Sequence, residues 1–403
     1  MKWLWRQLAI ATNWPVFVAV TIVSALGIVS IWAHAQSDPR YSGDVRKQMV
    51  FVAIGLGCML LMQLVSYRAI GRWAWGFYLL SLLMLIYTIM PGVPSSGLFG
   101  VPEIKGAKAW INLGSISLQP AELTKVASCM VLARYLRFRS NYRTFGGLVP
   151  PFALVAAPLL LILKQPDLGT ALVFIPMLFV MLFAAGAKIR HLLMVMLLGV
   201  MVGAVAWYSG PKEETGLSRD LPVLRKLPVL VKPHQRARVR AMFSRDPAVL
   251  REAGFQQQTA LTAFGSGGLT GRGVGNVPVG RIVPEANNDM IFALIGEQFG
   301  FIGSSVLLVS FLVLFAAGLE IASATREPFG RLVATGIVAL LAGQTFLNLM
   351  VSVKLMPVTG ITLPFVSYGG SSLLASFISA GLLLNIGGNR PLVIAKEAFE
   401  FDE

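Results

Sequence analysis

The chain has 403 residues, 55% of them apolar and only 13% charged, with 34 Lys and Arg against 19 Asp and Glu. An average soluble domain carries about 25% charged residues, and here the apolar residues run in blocks of roughly 18–22, the length that crosses a ~30 Å hydrocarbon core as helix. A soluble multi-domain enzyme, a disordered chain and a coiled coil are excluded; the pattern predicts an all-α, polytopic helical protein of the phospholipid bilayer.

Ten spans are predicted in a single membrane domain covering 1–403, at about 15–35, 49–66, 74–93, 121–136, 147–164, 168–187, 191–209, 290–319, 331–353 and 371–388. With the N-terminus inside, the inner flanks hold fourteen Lys and Arg and the short outer ones eight, which predicts cytoplasmic N- and C-termini. Ala33-His34-Ala35 resembles a signal-peptide cleavage site, but the preceding apolar run is too long and nine more spans follow, so an uncleaved first helix is expected. Residues 210–288 form the one long polar stretch, with twelve Lys and Arg against six Asp and Glu, and are expected to be an extracytoplasmic loop. Loops of that length escape the positive-inside rule. Cys58 and Cys129 lie in apolar runs, and the three histidines, His34, His191 and His234, form no zinc or haem motif. Nothing points to nucleic acid or to an organic cofactor.

Ionisable residues at a membrane surface are costly unless paired or solvated, so they carry the functional signal. In chain order, Arg46 and Lys47 precede the second span, and Gly106-Ala107-Lys108-Ala109-Trp110-Ile111 reads as an interfacial segment. Gln119-Pro120-Ala121-Glu122-Leu123-Thr124-Lys125 opens the fourth span, with Glu122 and Lys125 sharing a helix face. Lys164-Gln165-Pro166-Asp167 joins the fifth span to the sixth; Asp289 opens the eighth, and Glu297 lies deeper on roughly the same side. Apart from the deeper Glu297, these groups open on the outer face in the predicted topology. The plainer readings are a capping pair for Glu122 and Lys125, N-caps for Asp167 and Asp289, and a satisfied buried carboxylate for Glu297. The run Gly265-Ser266-Gly267-Gly268-Leu269-Thr270-Gly271-Arg272-Gly273 resembles a phosphate loop but lacks its Gly-Lys-Ser/Thr spacing, so tight turns near a headgroup are the expected role.

These residues belong to longer motifs: Gly106-Ala107-Lys108-Ala109-Trp110, Gln119-Pro120-Ala121-Glu122 with Lys125, Gln165-Pro166-Asp167-Leu168-Gly169-Thr170, Arg238-Val239, Asp246-Pro247, Gly254-Phe255-Gln256, the glycine run, and Pro284-Glu285 with Asp289. The last is Pro357-Val358-Thr359-Gly360-Ile361-Thr362-Leu363-Pro364-Phe365-Val366-Ser367-Tyr368-Gly369-Gly370-Ser371-Ser372. With them the chain resembles, over nearly its whole length, the SEDS family (shape, elongation, division and sporulation), the RodA/FtsW/SpoVE polymerases of the bacterial cell wall.

The resemblance implies a peptidoglycan glycosyltransferase of the inner membrane that polymerises lipid II outside it and works with a class B penicillin-binding protein. It places the family's essential aspartate on Asp289 and makes Arg46, Lys108, Glu122, Lys125, Lys164, Asp167, Arg238, Glu285 and Ser367 candidate contacts of the sugar headgroup and diphosphate. Arg238 is the family-matched member of the trio Arg236, Arg238 and Arg240. The chain departs from the family at Ala109, Thr259, Ala260, Asn287, Asn288 and Lys354, where arginine, Gln-Ser, His-Thr and glycine are common, and it mixes RodA-like with FtsW-like features. The reaction needs a base for the attacking hydroxyl and positive charge for the diphosphate. Asp289 suits the first; a divalent cation, Mg2+ or Mn2+, could share the second, although no dedicated site is visible. A lipid II flippase and a recruiting scaffold are the alternatives, and Gly300-Phe301-Ile302-Gly303-Ser304, Gly336 and Gly343 are the small-residue stretches expected to receive a partner helix.

Overall fold

The computed structural model describes residues 13–389 apart from 105, 115, 140, 210–230, 232, 245 and 253; the basic segment 210–230 and the flanking residues Lys2, Arg6, Lys105, Arg390 and Lys396 therefore lie outside the described residues. Long apolar runs leave the backbone no partner but itself in a bilayer, and helices are the open-ended solution. The helices are α1 (Trp14–Ser37), α2 (Ser42–Leu61), the short α3 (Tyr67–Arg72), α4 (Ala74–Ile89), α5 (Pro120–Arg137), α6 (Val149–Lys164), α7 (Leu168–Ala185) and α8 (Ile189–Tyr208). Beyond residue 230 come α9 (Pro233–Phe243), α10 (Pro247–Arg251), α11 (Phe255–Ser266), α12 (Ile291–Ala324), α13 (Pro328–Ser352) and α14 (Gly370–Gly388). A two-stranded antiparallel hairpin, β1 (Ile111–Asn112) with β2 (Ser117–Leu118), begins at the last residue of the expected interfacial segment 106–111 and leads to α5.

Among the described residues, eight stretches are long and apolar enough to cross a membrane, and the chain is an integral membrane protein. The other two expected spans fall short for different reasons. Helix α4 has 16 residues, about 24 Å of helix. Helix α5 carries Glu122, Lys125, Arg134 and Arg137, yet fourteen of its eighteen residues are buried: it is an inner helix whose charges meet protein instead of lipid. Helices α13 and α14 are its buried neighbours, whereas α8 is almost wholly exposed.

Three boundaries differ from expectation. Helix α2 starts at Ser42, so Arg46 and Lys47 sit within its first turns; the polar turn is retained because Asp44 opens it and Gln48 is buried against Val366 and Ser367. The long loop contains α9, α10 and α11. The eighth span is two helical pieces, broken at Gly300 with φ 61° and ψ −156°. Gly336 and Gly343 are not docking surfaces: a side chain at 336 would strike Cys129 and Met181, and one at 343 would strike Pro176, so both let α13 approach α5 and α7.

Connections alternate between the two ends of the bundle. At one end Asn385 bonds Met62, Val65 and Tyr67, and Arg137 pairs with Glu327 at 3.2 Å. Every candidate site residue lies towards the other.

Candidate functional site

Residues 357–368, between α13 and α14, form an irregular segment with few backbone bonds of its own. Buried carbonyls must find donors, and polar side chains supply them. Gln344 donates to Thr362 O at 3.0 Å, Asn348 to Ile361 O at 2.7 Å, and Gln48 to Val366 O and Ser367 O at 3.2 and 3.3 Å. Arg238 on α9 reaches Val358 O at 3.1 Å. Two glycines admit the segment: a side chain at Gly27 would meet Val366 O at 2.5 Å, and one at Gly169 would meet Thr359 O at 2.5 Å. The segment thus touches α1, α2, α7, α9 and α13 at once.

Its second half clamps the turn before α12. Three consecutive carbonyls of that turn accept from three separate donors: Asn287 O from the Tyr368 N–H at 2.8 Å, Asn288 O from the Ser367 hydroxyl at 2.5 Å, and Asp289 O from the Asn348 amide at 2.8 Å. Glu285 enters the turn at φ 55° and accepts from the Asn288 amide at 2.6 Å. Beneath lies a small apolar floor of Ala260, Ala263, Val283, Ala286, Met290, Ala293, Val351 and Val358. The Asp289 side chain is half-buried and faces Gly360, whose absent Cβ would sit 4.0 Å from Oδ2. Helix α12 begins at Ile291 with Met290 at the N-cap position, so Asp289 stands one residue outside it.

A second cluster joins the same segment. Lys125 bonds both Glu122 oxygens at 3.0 Å and Gln344 Oε1 at 2.7 Å; Glu122 and Lys125 are 5% and 2% exposed, so this is a buried ion pair. Gln344 passes the contact to Thr362, which meets Ser372 at 2.6 Å. Asp167 is the N-cap of α7, accepting from the Thr170 N–H at 2.9 Å, the Thr170 hydroxyl at 2.8 Å and Gln119 at 3.0 Å. Burial is the main cause raising its carboxyl above the usual range; the Thr170 bonds oppose this, and Glu122 adds to it.

The structure therefore brings together Asp289, Glu285, Arg238, Ser367, Glu122, Lys125 and Asp167 around residues 357–368. It leaves Arg46, Lys108 and Lys164 exposed at the same end, outside this network. The Ser367 hydroxyl is committed internally, accepting from the Leu363 N–H while donating to Asn288 O. Glu297 turns away from Asp289: its carboxylate takes the N–H groups of Val279 and Gly280 at 3.0 and 2.6 Å. Sequence reasoning missed Gln344, Asn348, Gln48 and Asn287. The first two were visible in principle, as amides four residues apart on one face of an apolar helix. Among the described residues no three His, Cys, Asp or Glu side chains gather to hold a metal.

The model of the FtsW/RodA/SpoVE "Cell cycle protein" family matches residues 7–391. The stage V sporulation protein E of Bacillus subtilis is 33% identical over 374 residues, 92% of this chain and 93% of that protein. A probable peptidoglycan glycosyltransferase FtsW of Geobacter sulfurreducens is 35% identical over 347 residues, 85% of this chain and 84% of the relative. Among solved structures, a chain of a peptidoglycan synthase complex that coordinates polymerization and crosslinking superposes with a TM-score of 0.75 at 30% identity, covering 93% of this chain and 97% of that one. The rod shape determining protein RodA of Thermus thermophilus superposes with a TM-score of 0.65 at 30% identity, covering 94% and 97%.

Proposed function

Because the chain belongs to the FtsW/RodA/SpoVE family, we infer that it is a peptidoglycan glycosyltransferase, polymerising lipid II into glycan strands. In this reading the GlcNAc 4-hydroxyl of one molecule attacks the MurNAc anomeric carbon of another. The C–O bond to undecaprenyl diphosphate breaks, and the hydroxyl proton passes to the Asp289 carboxylate. The observation that carries the assignment is the clamp: all three carbonyls of 287–289 are held, so the half-buried Asp289 carboxylate is positioned facing Gly360. A base placed this way is preorganised for proton transfer.

Arg238, next to this face, is the nearest candidate for the diphosphate, and the exposed Arg46, Lys108 and Lys164 supply further positive charge to an arriving headgroup. Lys125 already has Glu122 and Gln344 as partners, so its role is to hold Gln344 and through it the segment. Asp167 and Ser367 hold backbone in the same way. A divalent ion, Mg2+ or Mn2+, would be carried largely by the diphosphate itself, with Asp289 and Glu285 the nearest carboxylates of the turn. The reaction is extracytoplasmic in this reading, with both termini cytoplasmic. The likeness to a peptidoglycan synthase complex supports a class B penicillin-binding protein as partner.

Purified protein given labelled lipid II tests the activity. Polymer is the expected product; leaflet exchange without polymer would make the chain a transporter, and neither would leave a scaffold.

A further inference from the structure

One polar contact to the Asp289 turn has no part in the mechanism above. His34, near the end of α1 and 1% exposed, lies with Nδ1 2.7 Å from Asn287 Oδ1, across 253 residues of sequence. The Asn287 amide is oriented by its other partner: Nδ2 donates to Asp44 Oδ2 at 3.3 Å, which leaves Oδ1 towards His34. The imidazole must then carry its proton on Nδ1 and donate. Its Nε2 is buried without a partner, and its ring stacks on Tyr41 with centroids 4.6 Å apart. Asp44 in turn takes the Tyr368 hydroxyl; burial first, and then this carboxylate, push the phenol up to about 12, so it remains a donor. Tyr368 closes the circuit, since its N–H bonds Asn287 O at 2.8 Å.

The side chain of Asn287 is therefore fixed from α1 by His34 and from α2 by Asp44, two residues before Asp289. A buried amide with both ends satisfied has one orientation; removing a donor leaves its carbonyl unpaired and loosens the Asn287 side chain, so the turn is held by its backbone carbonyls with less precision. We propose that His34 is a positioning residue for the glycosyl transfer, holding the Asp289 turn in register through the Nδ1–H to Asn287 bond. The inference rests on Asp289 being the base.

The test compares substitutions at 34 in purified full-length protein with labelled lipid II, beside Asp289→Asn. His34→Asn keeps an N–H near the position of Nδ1 and should retain polymerisation within a few-fold of wild type. His34→Gln, which moves the amide to the Nε2 position, and His34→Leu, which keeps volume without a donor, should lose about 10- to 100-fold in kcat with KM for lipid II unchanged, the scale of a misplaced reacting group. Combining His34→Leu with Asn287→Leu should cost little more than either alone. If His34→Leu fails to fold, the Asn and Gln pair carries the same comparison, since both are polar amides. Equal losses in Asn and Gln, or a Gln variant near wild type while Asp289→Asn is dead, overturn the proposal. An active Asp289→Asn protein overturns instead the reading on which it rests.

Discussion

Lys354 occupies a backbone position that favours glycine. It follows the C-cap Val353 of α13 with φ 61°, and two bonds close the helix end around it: Leu355 N to Met350 O at 2.7 Å and Lys354 N to Val351 O at 3.2 Å. That is a Schellman motif, whose left-handed residue is usually glycine. Glycine would meet this backbone conformation without strain, and Lys354→Gly should raise stability by about 1 kcal/mol, read as a higher thermal midpoint with unchanged turnover. The Glu122–Lys125 pair predicts the opposite sign. Lys125→Met leaves a buried carboxylate unpaired and should cost about 3–5 kcal/mol, whereas Glu122→Gln with Lys125→Met together should recover most of it; a double variant no better than the single would refute the pairing. For the basic helix, Arg236 donates to Ser209 O at 2.6 Å, tying α9 to the end of α8, while Arg238 reaches Val358 beside the site. Arg238→Ala should therefore lower lipid II use far more than Arg236→Ala, which should show mainly in thermal stability. At this scale the sequence signals its charged groups, and the structure has Asp289, Glu122, Lys125 and Asp167 at one end of the bundle. The sequence signals uncharged amides poorly, because Gln344 and Asn348 in an apolar run look like tolerated polar residues until their carbonyl partners at 361 and 362 are known.

The element with the least legible design is α12. Apolarity predicts one continuous span, but Gly300 breaks it, and the freed groups are re-bonded by the glycine run instead of by solvent. Phe301 N bonds Gly268 O and Ile302 N bonds Leu269 O, at 2.9 and 3.1 Å; Arg272 N and Gly273 N bond Glu297 O and Gln298 O, at 2.8 and 3.1 Å. Such backbone-on-backbone contact excludes Cβ atoms: one added at Gly267 would lie 1.9 Å from Gly296 O, and one at Gly271 would lie 2.1 Å from Gln298 O. The run is a splice for a broken helix, and Glu297 braces it, accepting from the Ser266 hydroxyl at 3.4 Å and from the Val279 and Gly280 N–H groups beyond the run. Gly267→Ala and Gly300→Ala should each destabilise the protein by more than ~2 kcal/mol, seen as lost monodisperse protein after extraction. Gly268→Ala is strained in backbone (φ 56°) but meets no neighbour, and should be milder. Periodicity could not reveal this, since a glycine inside a span is also the mark of close helix packing, the role Gly336 and Gly343 serve in α13.

For the molecule as a whole, the two ends of the bundle do different work. One is tied by ordinary structural contacts, Arg137 to Glu327 and Asn385 to the turn after α2. The other gathers the motifs that carry Glu122, Lys125, Asp167, Arg238 and Asp289 onto residues 357–368. The spans were legible because a bilayer imposes length and apolarity on each; the exceptions, α4 and α5, are a helix too short and an inner helix that buries the charged pair Glu122 and Lys125. The convergence itself was legible only as shared sidedness. The clamp on 287–289 depends on pairings across scores of residues that no local pattern records.

Asp289 is the proposed proton acceptor, and its amide variant tests that role most directly. Asparagine keeps the size and the local hydrogen-bonding capacity of the side chain, so Asp289→Asn should fold, extract and bind lipid II as wild type does. It cannot take the hydroxyl proton, and general-base catalysis contributes roughly 10²–10⁴-fold. Polymerisation of labelled lipid II by the purified variant should accordingly fall by at least about a hundredfold. A folded, lipid-II-binding Asp289→Asn protein that still makes polymer within a few-fold of wild type would contradict it.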